Sequence, residues 1–330
     1  GIYTTGSTPY LNLFSSLKAL DTEIVLARAY NTAVGLKHDV NGYLTSTTMG
    51  RPGLLKNIAD MYLMKDGTPF TSQPGWETMQ LPDESRNRDG RFAQTVRTPG
   101  YKRVDDTAES APNLAATMTG YQLVKYLQSA KYDSYNASTN DLPLFRAAEI
   151  LLNYAEAKAE LGTLTQNDID LSINPLRERA GVNSKVPLAA DPYLIDYYAN
   201  QTTDKWILEI RRERAIEMLL ENLRYEDLMR WKLGSLLEKE WTGIYIPEKE
   251  KAYDLNGDGI NDVCVTDGKP GTEKGVFYID LSKGQYTLDK NNCLIYNETR
   301  MWADRKYLHP IPKTACVINP ALGQNDGWEE

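Results

Sequence analysis

Residues 254–262 read Asp254-Leu-Asn-Gly-Asp-Gly-Ile-Asn-Asp262, which puts oxygen-bearing side chains at relative positions 1, 3, 5 and 9. Asp254, Asn256, Asp258 and Asp262, with the Ile260 carbonyl at position 7, could wrap a hard cation, and Gly259 allows the tight turn such loops need. The helix–loop–helix version of this site wants a bidentate Glu at position 12, where this chain has Val265. The spacing therefore fits a short Ca²⁺ loop in a structural role, or a turn that uses Asn-Gly and Asp-Gly for backbone geometry alone.

A second chemical candidate is the charged run Arg211-Arg-Glu-Arg, continued by Glu217, Glu221, Arg224, Asp227 and Arg230. Glu213 and Glu217 lie one helical turn apart on one face, a spacing open to an acid/base carboxylate pair. The alternative is a lattice of ion pairs at i,i+3 and i,i+4, such as Arg214 with Glu217. Arginine suits that role because its planar fork binds carboxylates bidentately. The structural alternative is the expected one.

Other catalytic chemistry is largely excluded. Three cysteines (Cys264, Cys293, Cys316) and two histidines (His38, His309) form no CxxC, no HExxH and no zinc spacing. A Cys264–Cys293 bridge and buried free thiols are both compatible with the sequence. His309 precedes Pro310, an extended context rather than a rigid platform for a base.

Aromatic residues are abundant, with 21 Tyr, 6 Trp and 5 Phe. A flat ring with a polar tip suits half-wet binding surfaces as well as cores. Such rings can stack on the flat apolar face of a ligand, with Asn, Asp, Arg or Lys bonding the polar groups at its rim. Trp76, in the turn-rich Thr71-Ser-Gln-Pro-Gly-Trp76, is the first candidate, and Tyr43, Phe70 and Tyr101 share its region. Trp231 and Trp302 read as core.

The elements that must position these residues divide the chain unevenly. A short helix and a strand fit residues 11–30. Residues 31–114 show little periodicity beyond a helical stretch near 54–63, and a segment that long reads as functional loop. Helical order dominates 142–234, with a stripe from Leu144 to Ala159 stopped by Gly162, then Asp168 to Ala180 with Pro175 as a kink or break. Two further helices fit Asp204 to Glu221 and Tyr225 to Leu233. The first two helices resemble one tetratricopeptide unit. Residues 235–330 are irregular, with short β-like runs at 275–280 and 293–296.

The 330 residues carry 37 Lys and Arg against 45 Asp and Glu, a formal charge of −8. Such a chain repels polynucleotides and anionic lipid, so nucleic acid is not an expected partner. No run of about 18 apolar residues is present.

The run Ile207-Leu-Glu-Ile-Arg-Arg-Glu-Arg-Ala-Ile-Glu-Met-Leu-Leu-Glu-Asn-Leu-Arg-Tyr-Glu-Asp-Leu-Met-Arg-Trp231 resembles the signature of the SusD/RagB family, surface nutrient-binding lipoproteins of the Bacteroidetes outer membrane. Phe145 to Ala157, Ile173-Asn-Pro-Leu-Arg-Glu-Arg-Ala-Gly181, Tyr307-Leu-His-Pro-Ile-Pro312 and Asn319 to Gly327 agree in order. Lys65-Asp-Gly67 and Arg88-Asp-Gly-Arg-Phe92 are also similar to family positions. The likeness spans roughly residues 20–328 and is closest to the C-terminal portion of a family member. Asn325-Asp-Gly327 stands where the family generally has Asn-Pro-Gly, and a turn survives either way.

The resemblance implies a mostly α fold, a SusD-like tetratricopeptide-type helical frame with long loop-rich insertions and minor β hairpins. It further implies a non-enzymatic, lipid-anchored subunit on the outside of the outer membrane, its N-terminal anchor absent from this chain. Such a subunit captures an oligosaccharide and passes it to a SusC-like TonB-dependent transporter. A carrier of peptides, an α-helical glycoside hydrolase and a tetratricopeptide scaffold for protein partners are the alternatives. The family's ligand aromatics vary between members, so none is carried over.

Overall fold

The computed structural model describes residues 1–183 and 189–329. About 36% of the chain is helical and 13% is strand, with eleven α-helices among the described residues, so "mostly α" holds only in part.

The chain opens with α1 (Pro9–Ser15) and β1 (Ile24–Arg28). It continues through four short helices, α2 (Val40–Thr45), α3 (Lys56–Ala59), α4 (Leu81–Glu84) and α5 (Gly90–Thr95). The region expected to be loop thus folds as single helical turns, and Ile58, Met61, Tyr62, Leu81, Phe92 and Val96 sit in the main core. Turns this short leave many carbonyls unpaired, and burial forces them to find donors. Arg88 supplies three, reaching the carbonyls of Glu84 (2.9 Å), Ala59 (2.6 Å) and Tyr62 (3.0 Å).

Strand β2 (Leu142–Arg146) pairs antiparallel with β1 and runs into α6 (Ala147–Glu160). The apolar stripe read from Leu144 therefore starts one element too early. Pro143 disfavours helix for its neighbour, the β1 edge offers pairing, and Leu144 is left exposed. Helix α6 stops at Gly162, whose φ of +65° suits glycine. Thr165 and Asp168 form a capping box that starts α7 (Gln166–Arg179). Pro175 lies within α7 without ending it. The carbonyl it cannot serve belongs to Leu171, on the exposed side of the helix.

The frame is completed by α8 (Pro192–Tyr197), α9 (Lys205–Glu217) and α10 (Arg224–Arg230). Ala148, Leu152 and Ala155 of α6 pack with Ile169, Ile173 and Leu176 of α7 and Ile210 of α9 into a separate apolar cluster. Asp204 caps α9 by accepting from Trp206 N and Ile207 N. The helix ends at Glu217 rather than Glu221, because Leu220 and Asn222 both turn to positive φ.

The last hundred residues hold β3 (Trp241–Tyr245), β4 (Ala252–Tyr253), β5 (Val263–Thr266), β6 (Phe277–Asp280), β7 (Tyr286–Leu288), β8 (Cys293–Tyr296) and α11 (Lys313–Ile318). The strands form two small sheets, β3-β8-β7 and β4-β5-β6. Cys264 and Cys293 fall in different sheets, and all three thiols are free, which settles the bridge against.

Candidate functional site

The carboxylate pair of α9 is not available to a substrate. Glu213 and Glu217 are both 0% exposed. Arg91 Nη1 donates to Glu213 at 2.8 Å and to Glu217 at 2.9 Å, and Arg177 Nε donates to the other oxygen of Glu213 at 2.6 Å. Arg146 and Arg179 close on Glu217 from the far side and share Glu23 with it. Burial alone would raise the Glu217 carboxyl, but Arg179, Arg146 and Arg91 hold it well below the usual range. At Glu213 burial is likewise outweighed, by Arg91 and Arg177. A general acid needs a raised value and access to substrate. These groups have neither.

The ion-pair lattice expected there is present, with Arg212–Glu209 (3.2 Å) and Arg230–Asp227 (2.9 Å) paired along their own helices and most of the other pairs joining one element to another. Arg214 does not meet Glu217. It turns to Asp227 of α10, at 2.8 and 2.9 Å, and to Asn153 of α6 at 2.6 Å. Trp231 is buried and donates its indole N–H to Glu156 at 2.6 Å. Trp302 is half-buried against Gly234. His38 donates its Nε2–H to the Asn140 carbonyl, 2.9 Å away, and its burial lowers its basicity.

Residues 254–262 are the loop of the β4–β5 hairpin, closed by Asp262 N donating to Tyr253 O at 2.8 Å. Asp254 accepts from the amides of Asn256 (3.0 Å), Gly257 (2.6 Å) and Gly259 (2.7 Å). Asp258 accepts from Ile260 N, and Asp262 from Leu255 N. Burial first, then the charges of Asp254 and Asp258, push the Asp262 carboxyl up. Among the described residues no three His, Cys, Asp or Glu side chains gather as a metal site. A cation here would need the Asn256 oxygen and the Ile260 carbonyl beside the carboxylates.

Trp76 and Phe70 are brought together, with ring centroids 6.3 Å apart. Phe70 is 1% exposed and lies under the Arg88 guanidinium at 3.7 Å, so it supports the site without presenting a face. Trp76 is half-buried, set edge-on to Tyr193 of α8 at 5.7 Å. It borders a 170 Å³ cleft shared with Asn57, Asp60, Thr242, Asp289 and Asn291. Three separate elements supply these groups: α3, the first residues of β3, and the β7–β8 hairpin loop.

The cleft floor is charged. Lys56 lies 5.6 Å from the Trp76 ring centroid, donates to Asp60 at 2.9 Å and stands 3.8 Å from Glu84. Burial, added to by Glu84 and opposed by Lys56, pushes the Asp60 carboxyl up to about 6. Burial likewise raises the Cys293 thiol to about 12, which makes it inert. The Asn57 side-chain oxygen is buried with no hydrogen-bond partner. A buried acceptor of that kind is costly unless something donates to it.

Tyr43 and Tyr101 lie elsewhere. Tyr43 is exposed and borders a different cleft with Trp241. Tyr101 is half-buried beneath Arg97, 5.0 Å from its ring centroid. Sequence reasoning missed Asn57, Asp289, Asn291 and Trp241. No local pattern marks them, because they meet only when α3, the β7–β8 hairpin and β3 pack together.

Comparison with known proteins gives the family and the fold of the chain. A model of the SusD family matches residues 28–328. Among solved structures, a SusD-like carbohydrate-binding protein from Bacteroides fragilis is 24% identical, with a TM-score of 0.61 over 91% of this chain and 54% of its own. A second SusD-like protein from the same species is 19% identical, also with a TM-score of 0.61, over 99% of this chain and 58% of its own. The chain thus spans little more than half the length of either structure, and the likeness at these identities is one of fold. A search of curated proteins returns no significant match. Since the family model accounts for nearly the whole chain, this protein belongs to the SusD family.

Proposed function

We propose that this chain is the glycan-capturing part of a surface nutrient-binding protein, and that the cleft beside Trp76 holds the sugar. The observation that carries this reading is the cleft's composition: an indole ring beside Asn57, Thr242, Asp289 and Asn291 around a small open cavity. A pyranose presents an apolar face and a rim of hydroxyls, and this cleft offers a partner for each. The carbohydrate-binding relative from Bacteroides fragilis supports the substrate class.

The same reading makes the protein a non-enzymatic binder at the outer face of the outer membrane, held there by a lipid anchor. It would hand its cargo to a SusC-like TonB-dependent transporter. The burial of Glu213 and Glu217 among arginines speaks against a glycoside hydrolase built on that pair. A structural Ca²⁺ in the 254–262 loop completes the proposal, with Asp254, Asn256, Asp258, Asp262 and the Ile260 carbonyl as ligands.

Affinity electrophoresis of wild type and Trp76→Ala against plant, host and microbial polysaccharides tests the reading. One polymer should retard the wild type, lose its effect on the variant and release no reducing sugar. No retardation by any polymer would turn the reading toward peptide cargo.

A further inference from the structure

The Trp76 cleft carries more negative than positive charge. Asp60, Glu77 and Asp289 border it, and Lys56 is the one cation among its described lining residues. That ammonium is already matched, 2.9 Å from Asp60 and 3.8 Å from Glu84. The Arg88 guanidinium, lying over Phe70, acts on the same two carboxylates, so the floor of the cleft is neutral. The rim is not. Glu77 is exposed, and its carboxylate meets no cation among the described residues. Asp289 accepts only the amides of Asn291 and Cys293, each at 2.8 Å.

Two lining residues also hold acceptors without donors. The side-chain oxygen of Asn57 is buried and receives no hydrogen bond. Asp60, 3% exposed, gives one oxygen to Lys56, while the other accepts from no described group. Carboxylates around a cleft suit a metal ion or an organic cation. These do not converge as metal ligands do, which leaves the larger group. Trp76 adds to the attraction, since an indole face draws ammonium, and the Lys56 ammonium already stands 5.6 Å from its ring centroid. At 170 Å³ the cleft is below the roughly 300–1,000 Å³ of drug-sized sites, so it takes a single sugar residue. A uronate or sulfated residue would face two unpaired carboxylates and find no free cation.

Resting on the glycan reading of this cleft, we propose that the sugar residue seated against Trp76 carries a protonated amine. Its N–H donors answer the carboxylates of Glu77 and Asp289 and the acceptors left open on the floor. The ligand class is a glycan containing an amino sugar with a free amino group, and acidic glycans are excluded.

The experiment titrates short chitosan oligosaccharides into the protein by calorimetry, beside chitin oligosaccharides of equal length, which have the same backbone with the amines acetylated. Oligogalacturonides supply the acidic arm and oligolysine of like charge the peptide arm. Salt is held at about 0.15 M, where the Debye length is about 8 Å, so that general attraction to a chain of formal charge −8 is screened. Chitosan should bind roughly tenfold tighter than chitin, the combined scale of a cation over an indole and two rim ion pairs. Oligogalacturonide and oligolysine should not bind. Glu77→Gln and Asp289→Asn should each reduce the preference by roughly two- to fivefold. Glu77 is exposed, and asparagine at 289 keeps an acceptor for the turn amides. Asp170→Asn, on α7, removes the same charge from a helix that does not line the cleft and should change nothing.

Chitin and chitosan bound equally, both lost in Trp76→Ala, would overturn the amine and keep the glycan reading. So would a neutral polymer retained through Trp76 while chitosan fails to bind. A chitosan preference weakened as much by Asp170→Asn as by Asp289→Asn, or matched by oligolysine, is bare charge attraction and overturns the amine. A preference that survives Trp76→Ala overturns the site itself, and a wild type that binds no glycan overturns both readings.

Discussion

Arg146 donates to the Glu217 carboxylate at 2.6 Å across a separation of 71 residues, joining the last residue of β2 to the last of α9. The same guanidinium reaches Glu23 at 2.7 Å and Glu221 at 2.7 Å. Helical frame and strand pair are therefore fastened by charge among side chains that are 0–7% exposed.

Breaking that fastening should be costly. Glu217→Gln removes the one carboxylate that Arg91, Arg146 and Arg179 share. Loss of one partner from a buried pair costs about 3–5 kcal/mol, because charge is left uncompensated. Urea denaturation should show a loss of that size, and a loss under about 1 kcal/mol would mean the arginines find other partners.

The network also sets an acid limit. Glu213, Glu217 and Glu221 all have folded values held below the ordinary 4.5 by their arginine and lysine partners, against the opposing effect of burial. Their stabilisation is complete above that ordinary value and is lost as pH falls through the folded ones. Asp60 has the opposite sign. Its value is raised to about 6, so its ionisation weakens the fold as pH rises through that region. Melting temperature measured against pH should change gently near 6 and collapse below 4.5. A flat profile between 5 and 3 would contradict the network's role.

Gly243 is the tightest backbone approach behind the clefts. A Cβ there would lie 2.1 Å from the Thr119 carbonyl oxygen, a backbone atom that cannot swing aside. Gly243→Ala should push β3 away and break the bond from Ile244 N to that same oxygen, now 2.8 Å. About 1–3 kcal/mol of destabilisation is expected, the usual cost of overpacking. Amide exchange at Ile244 should quicken in the variant, and unchanged protection there would show that the strand absorbs the methyl.

Calcium is checked by thermal unfolding in Ca²⁺ and in a chelator. Bound only by the folded state, it should raise the melting temperature, with a rise that grows as the logarithm of its free concentration above the dissociation constant. Asp258→Asn should remove most of that rise. An identical melting temperature in both buffers would leave the loop as a turn held by the amides on Asp254.

The sequence legibly carried the long helices. Gly162 marks a stop, Asp204 the start of α9, and the 3–4 spacing of α6 points to its apolar face, whereas the Thr165 cap of α7 became visible only in the fold. The sequence also carried family membership through the charged run of α9. It could not show where those charges go. Arg214 and Glu217 are neighbours by helical spacing, yet they serve Asp227 and Arg146, whose places depend on how α10 and β2 dock. Residues 31–114 were illegible for a related reason. One-turn helices have no periodicity to read, and their burial rests on distant donors such as Arg88.

The sequence by itself determined the frame, because periodicity, caps and stop residues act within a few positions. Tertiary structure alone decided the candidate site. Trp76, Asn57, Thr242 and Asp289 come from segments up to 232 residues apart in the numbering (57 to 289), and only packing brings them to one cleft. Local physics fixes which residues are helical; which side chains share a cavity is a property of the docked elements.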